Sequence, residues 1–305
     1  MASLEFEREF EPQHGELVSL TPSLARVTCA NVGPLTFQGT NSFLIGRDAV
    51  VVVDPGPEDQ VHLDALLRGI DGRPVSAILV SHTHVDHSPL SRTLERITGA
   101  PIIGCAPHTR APAFVDMPEN PMEASADYAY VPARILADGE RIRLAGRDIV
   151  AVATPGHTMN HLSFLIEDDN VLLCGDHVMG WSSSVVAPPD GSMGSYMASL
   201  EKLAAYADRF RFFPAHGGEI HSPQTYLRGL YAHRKAREAA VLAQLLGGKA
   251  SIAQMTAEIY KDVDRALHSA AALNVLAHLE DLCNRGLATC EGPHSLETCY
   301  QPVKA

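Results

Sequence analysis

The sequence predicts an α+β domain over residues 1–224 followed by a smaller, mainly helical module over residues 225–305. Three observations predict this. The short apolar run Val75-Ser76-Ala77-Ile78-Leu79-Val80 reads as a buried strand, and it opens into a polar cluster and then a helical pattern. Residues 134–167 alternate like successive antiparallel strands, interrupted by Gly139, Gly146 and a loop at 154–161. From about Thr225 the composition turns to long helical spacing.

The elements follow in order. Residues 1–20 form an extended lead-in. Strands are expected near 25–29, 41–45 and 49–54, then a helix over 59–69. After strand 75–80, Ser88 is placed as a helix N-cap with Pro89 at the first helical position. Leu90, Leu94 and Ile97 hold the helical spacing, and Gly99 and Pro101 end it. A strand near 102–105 leads to an irregular, proline-rich stretch, 106–126, expected to cover the sheet rather than border a site. The segment 180–194 is rich in Ser, Pro and Gly and contains the only tryptophan, Trp181. Helices near 225–246, 251–260 and 265–285 precede a small hairpin over 287–303 that turns at Gly292-Pro293.

The cluster after strand 75–80 organises the chain. His82-Thr83-His84-Val85-Asp86-His87 puts four metal-competent side chains into six residues. In extended backbone, residues two apart share a face, so His82 and His84 can approach one ion together. Asp86 and His87 lie beyond that alternation, where a turn aims them at a second ion.

Composition bounds the partners. Lys and Arg total 24 against 36 acidic residues, for a net charge of −12. That balance repels a polyanion, although divalent ions would make a site locally positive. Over 225–305 the charges balance. Glu280 and Asp281 near the end of the candidate recognition helix make a poor duplex-DNA footprint, so no duplex-DNA partner is expected. The six cysteines show no CxxC spacing and read as free thiols. The acidic N-terminus has no apolar core, and no stretch reaches membrane-spanning length, so a cytoplasmic protein without a membrane partner is expected.

The motif HxHxDH after a strand resembles the metallo-β-lactamase superfamily of metal-dependent hydrolases. Four further landmarks of that superfamily stand here in order: Asp54 closing the apolar run 49–53, His157 in Gly156-His157, Asp176 in Gly175-Asp176, and His216 in Pro214-Ala215-His216-Gly217. The resemblance implies an αββα sandwich, two mixed sheets flanked by helices, with a binuclear site at one edge. It assigns one ion to His82, His84 and His157, and the other to Asp86, His87 and His216, with Asp176 bridging. Two Zn2+ ions are expected, with Fe or Mn as other divalent choices. A metal-bridging hydroxide would be the nucleophile, and Asp86 would orient it and pass a proton to the leaving group. Asp54 would hold a ligand in place from behind. Cys174, two residues before Asp176, reads as a small buried apolar residue rather than a ligand.

A finer resemblance is to the glyoxalase II-like hydrolases, and within them to the beta-lactamase-like protein 2 branch. It rests on Gly39-Thr40-Asn41-Ser42-Phe43-Leu44-Ile45, Asp86-His87-Ser88, Gly175-Asp176-His177-Val178-Met179-Gly180-Trp181, and a C-terminal segment opening near His233-Arg234. This implies hydrolysis of an ester or thioester in a small-molecule substrate. The alternative is endonucleolytic cleavage of single-stranded RNA by the same site, and a mononuclear iron persulfide dioxygenase is a further one. Asn41, His161, His177 and Trp181 are the expected substrate contacts, and the C-terminal module resembles a winged helix.

Overall fold

The computed structural model describes residues 4–118, 120, 123–248 and 251–303. Strands β1 (Leu17–Thr21), β2 (Leu24–Thr28), β3 (Asn41–Ile45), β4 (Val50–Val53), β5 (Val75–Val80), β6 (Ile102–Gly104) and β7 (Arg134–Ile135) lie in that order in a seven-stranded sheet. Neighbours are antiparallel as far as β4 and parallel from β4 to β7, so the sheet is mixed. A second sheet of five strands follows the order β12 (Arg211–Pro214), β11 (Val171–Gly175), β10 (Leu162–Ile166), β9 (Arg147–Ala153), β8 (Arg141–Leu144). The expected run of antiparallel strands over 134–167 is therefore split. β8 to β10 form it, whereas Arg134–Ile135 joins β6 in the first sheet.

The second sheet is buried on both faces, and strand alternation decides which core each residue enters. Ile149, Ala151, Phe164, Ile166, Val171, Leu173 and Phe213 face the first sheet and join the core cluster that contains its strands. Their neighbours Val152, Leu165, Leu172, Cys174 and Phe212 face outward. There they meet Tyr196, Leu200 and Leu203 of α3 (Met193–Ala204) and Leu227 and Leu230 of α4 (Pro223–Leu246). At roughly 1.5–3 kcal/mol per large apolar side chain removed from water, each face is a core in its own right. Helices α1 (Gln60–Ile70) and α2 (Leu90–Thr98) cover the far side of the first sheet.

Local chemistry sets the helix ends. The Asp59 carboxylate accepts from the His62 N–H at 2.8 Å and caps α1, an interaction of about 1 kcal/mol. Gly99, at φ 71°, ends α2 in the left-handed conformation as its sequence position implied. The start of α2 differs from expectation. The helix begins at Leu90, Pro89 occupies the cap position, and no side chain caps it. Ser88 is drawn elsewhere, its hydroxyl donating at 2.8 Å to buried Asp127, which also pairs with Arg92.

The C-terminal module comprises the end of α4, α5 (Ile252–Ile259), α6 (His268–Asn284) and the antiparallel pair β13 (Ala288–Cys290) and β14 (Tyr300–Pro302). Its core, with Met255, Leu276, Leu279 and Tyr300, also takes in Ala111, Phe114 and Met117. Through these three residues the stretch expected to cover the sheet packs against the C-terminal helices. It also borders the ligand loop, because Val85 N–H donates to the Ser125 carbonyl and Ala126 bridges to His84. Among the described residues, no helix is long and apolar enough to cross a membrane.

Candidate metal centre

Strand ends at one edge of the sandwich deliver the site. β5 ends two residues before His82, β9 leads into the loop carrying His157, β11 ends one residue before Asp176, and β12 ends two before His216. Two glycines make the approach possible. Gly156, at φ 138°, lies so close to Tyr196 that a Cβ would stand 2.3 Å from its Cα. Gly175, at φ 51°, leaves room for the His161 ring, whose Nε2 a Cβ would meet at 2.5 Å.

The candidate ligands converge in two groups. His82, His84, His157 and Asp176 place ligand atoms within 4.8 Å of one another, as do Asp86, His87 and His216. Nδ1 of His84 lies 3.1 Å from Nε2 of His82 and 3.1 Å from Nε2 of His157. In the second group, Asp86 Oδ2 is 3.3 Å from His87 Nε2 and 3.2 Å from His216 Nε2. A single oxygen, Asp176 Oδ2, touches both groups, at 3.7 Å from His157, 3.5 Å from His87 and 3.3 Å from His216.

Most of these imidazoles are oriented from behind, which fixes the nitrogen that faces inward. His157 Nδ1 donates to the Val185 carbonyl at 2.7 Å, and His216 Nδ1 faces the Gly39 carbonyl at 3.2 Å. Asp54 anchors two more. Its Oδ2 lies 3.3 Å from His87 Nδ1 and accepts from the Ser81 hydroxyl at 2.6 Å, which in turn sits 3.0 Å from His82 Nδ1. Asp54 holds a left-handed φ of 48°, and the turn it begins is tied to the ligand loop by the Gly56 N–H donating to the His87 carbonyl. It is more than a turn residue.

The electrostatics of the two groups differ. Burial, together with neighbouring imidazoles, keeps His82 well below the usual histidine range and lowers His157 to about 4, so both are neutral donors. Burial pulls on His87 and His216 too, but Asp86 and Asp176 outweigh it, raising His216 to about 10 and holding His87 well above its ordinary value. Both carboxylates are correspondingly held well below theirs, against the effect of burial, by His87 and His216. Buried His87 Nε2, His216 Nε2 and Asp176 Oδ1 find no hydrogen-bond partner among the described residues. Unpartnered inward-facing imidazole nitrogens beside carboxylate oxygens fit divalent cations.

Three of the expected substrate contacts are corrected. Asn41 is buried, its amide donating to the Pro214 and Gly217 carbonyls while its oxygen accepts from Thr28, so its hydrogen-bonding groups are turned inward. His161 is buried behind the site, bonded to Thr154 through Nδ1 and accepting the Asp176 N–H at Nε2. His177 points into the core against the Tyr196 ring, 4.5 Å away, and burial lowers it to about 3. Trp181 alone stays near the surface, stacked on Phe37 at 4.9 Å and lining a cavity next to the site. Cys174 is buried in the outer core with its thiol on the Val178 carbonyl, away from both groups.

Sequence reasoning missed three neighbours. Thr40 reaches Asp86 Oδ2 at 3.3 Å; adjacent extended residues face opposite sides, so placing Asn41 toward the site turns Thr40 away from it. Asp190 lies 3.5 Å from His84 Nε2, with His108 4.0 Å beyond; the run Pro188-Pro189-Asp190-Gly191 resembles the beta-lactamase-like protein 2 branch, but neither residue stands in a ligand motif.

Comparison with known proteins agrees with this geometry. A family model described as Metallo-beta-lactamase superfamily matches residues 35–216, and one described as Beta-lactamase associated winged helix domain matches residues 251–293. A Beta-lactamase-like protein 2 homolog of Drosophila melanogaster is 28% identical over 295 residues, covering 94% of this chain and 97% of that protein. An Atrochrysone carboxyl ACP thioesterase of Pseudocercospora fijiensis is 30% identical over 208 residues, covering 66% of this chain but only 54% of that protein. The crystal structure of a Beta-lactamase domain protein from Burkholderia ambifaria superimposes with a TM-score of 0.79 at 22% identity, covering 97% of this chain and 96% of that one. With its two mixed sheets, its convergent His/Asp cluster and its winged-helix module, the chain belongs to the metallo-β-lactamase superfamily, whose members are typically hydrolases.

Proposed function

We propose that the protein is a binuclear metal-dependent hydrolase that cleaves an ester or thioester bond in an acyl substrate. The observation that carries this reading is the position of Asp176 Oδ2, within 3.7 Å of imidazoles from both groups, as a ligand shared by two ions requires. His82, His84 and His157 would hold one ion and Asp86, His87 and His216 the other; the imidazole and carboxylate set suits Zn2+, and also Fe or Mn. Such a pair supplies Lewis-acid polarisation of the scissile carbonyl and a water acidic enough to attack at neutral pH.

The chain's own residues do the rest. Neutral His82 and His157 bind without first giving up a proton. Asp86, whose side chain is 21% exposed against 8% for Asp176, is the carboxylate placed to take a proton from the attacking water as a base and return it to the leaving group as an acid. Thr40, within reach of Asp86, keeps that carboxylate turned toward the site.

The relative named as an acyl carrier thioesterase supports the acyl reading, and a net charge of −12 speaks against a polyanionic substrate such as RNA. The test is metal analysis of purified protein with a panel of thioesters and esters beside single-stranded RNA, His84→Ala serving as control. The expected result is two ions per chain and thioester turnover that His84→Ala abolishes. RNA cleavage lost in the same variant would favour the nuclease, and one iron per chain the dioxygenase.

A further inference from the structure

A second feature lies beside the metal centre. The segment 181–185, which leaves the site after Asp176, forms one wall of a cavity of about 240 Å3 that is closed on the other side by α4 and by residues 260–274. The floor is apolar, with Leu35, Met179, Val263 and Leu267 among its residues. Two guanidinium groups line it, and among the described residues neither has a carboxylate within 4.0 Å. Arg234 is only 3% exposed, yet its partners are neutral: the Asn274 side-chain oxygen at 3.2 Å, the Ser184 carbonyl, and the face of Tyr196. Among the described residues its Nε finds no acceptor, and neither does the buried indole N–H of Trp181 in the same lining. Arg237 is half-buried, stacked over Tyr260 with one hydrogen bond to the Ile259 carbonyl.

A buried cation without a counter-ion is costly, and it becomes favourable when an anion arrives with its own apolar body. We propose that this cavity binds an acyl or aryl carboxylate, the carboxylate meeting Arg237 and the free N–H groups of Arg234 and Trp181, and the hydrocarbon part lying on the apolar floor. The volume is below the roughly 300 Å3 at which drug-sized pockets begin, so the ligand is a medium-chain or single-ring acid. The pocket abuts the centre. Val185, in its wall, takes the His157 Nδ1 hydrogen bond, and Ser184 donates to the Asp176 carbonyl at 2.6 Å. The inference deepens the acyl-hydrolase reading by naming an anionic acyl group as the moiety recognised, but binding at the pocket can be measured without catalysis.

The single tryptophan lies in the lining, so its emission reports occupancy directly. Purified protein is titrated with octanoate, octan-1-ol and AMP, following tryptophan fluorescence and, in parallel, calorimetry. Octanoate is expected to bind saturably and about tenfold tighter than the alcohol, the margin that one charge-assisted contact supplies. Arg237→Gln is expected to erase that margin while leaving alcohol binding and the melting temperature unchanged. Equal affinity for acid and alcohol, no binding by either method, or tighter binding of AMP would each overturn the proposal. Absence of hydrolase activity alongside octanoate binding would instead count against the catalytic reading only.

Discussion

His161 carries the main chain of Asp176: the Asp176 N–H donates to His161 Nε2 at 3.1 Å, while the opposite ring nitrogen is held by Thr154 at 2.8 Å. The residue that touches both candidate groups is thus positioned by an imidazole that belongs to neither. Replacing His161 with Ala should leave the fold in place and weaken metal retention by about 10- to 100-fold, as lost outer contacts to metal ligands commonly do. Metal content after dialysis against a graded chelator series measures it. Retention equal to wild type would show that Asp176 needs no such support.

Asn41 gives a contrasting prediction. Asn41→Ala strands the Pro214 and Gly217 carbonyls and the Thr28 hydroxyl, all in the interior. A loss of about 2–3 kcal/mol of stability is expected, seen in denaturant melts, from unsatisfied buried polar groups. Because Asn41 faces away from the site, KM should hardly move. A large rise in KM at unchanged stability would return Asn41 to the substrate.

Acid should destabilise the protein through its buried histidines. His278 is about 1% exposed, and burial, reinforced by Arg234 and Arg285, lowers it from 6.5 to about 3. Between those values the unfolded chain binds a proton that the folded one refuses. Stability therefore falls as pH drops from 6.5 toward 3, by ~1.4 kcal/mol per pH unit for this one group. His278→Leu should remove that share of the slope; an unchanged slope in urea melts at stepped pH would show that His278 does not contribute.

Stripping the metal should loosen the fold as well as stop turnover. Ions that bind only the native state stabilise it, by about 2.7 kcal/mol when present at a hundred times their Kd. Chelator-treated protein should melt several degrees lower, and adding Zn2+ should restore both the melting temperature and activity. Full thioester turnover by metal-free protein would refute the catalytic assignment outright.

Much of this was readable in the residues. His82 through His87 announced the site because strand alternation, a turn and ligand chemistry coincide within six positions. Strands β3 and β5 were legible at both ends because their apolar runs are bounded by polar or turn residues. What escaped was long-range. Ser88 looks like a cap until Asp127, thirty-nine residues on, claims its hydroxyl. His161 and His177 have the right chemistry for substrate contact, but their direction depends on Thr154 and Tyr196. Asp190 reaches His84 only through the path of a loop whose local sequence sets no geometry.

The carbonyls of Ser184 and Val185 are adjacent in the chain but serve different halves of the molecule, one taking a hydrogen bond from Arg234 of α4 and the other from His157. Helix α4, which leads into the winged-helix module, is consequently no detachable appendage. A sandwich severed before α4 would lose the brace on one side of that dipeptide and, with it, the aim of an inner histidine. Any lineage that exchanged α4 for another element would have to bring along a new donor for Ser184.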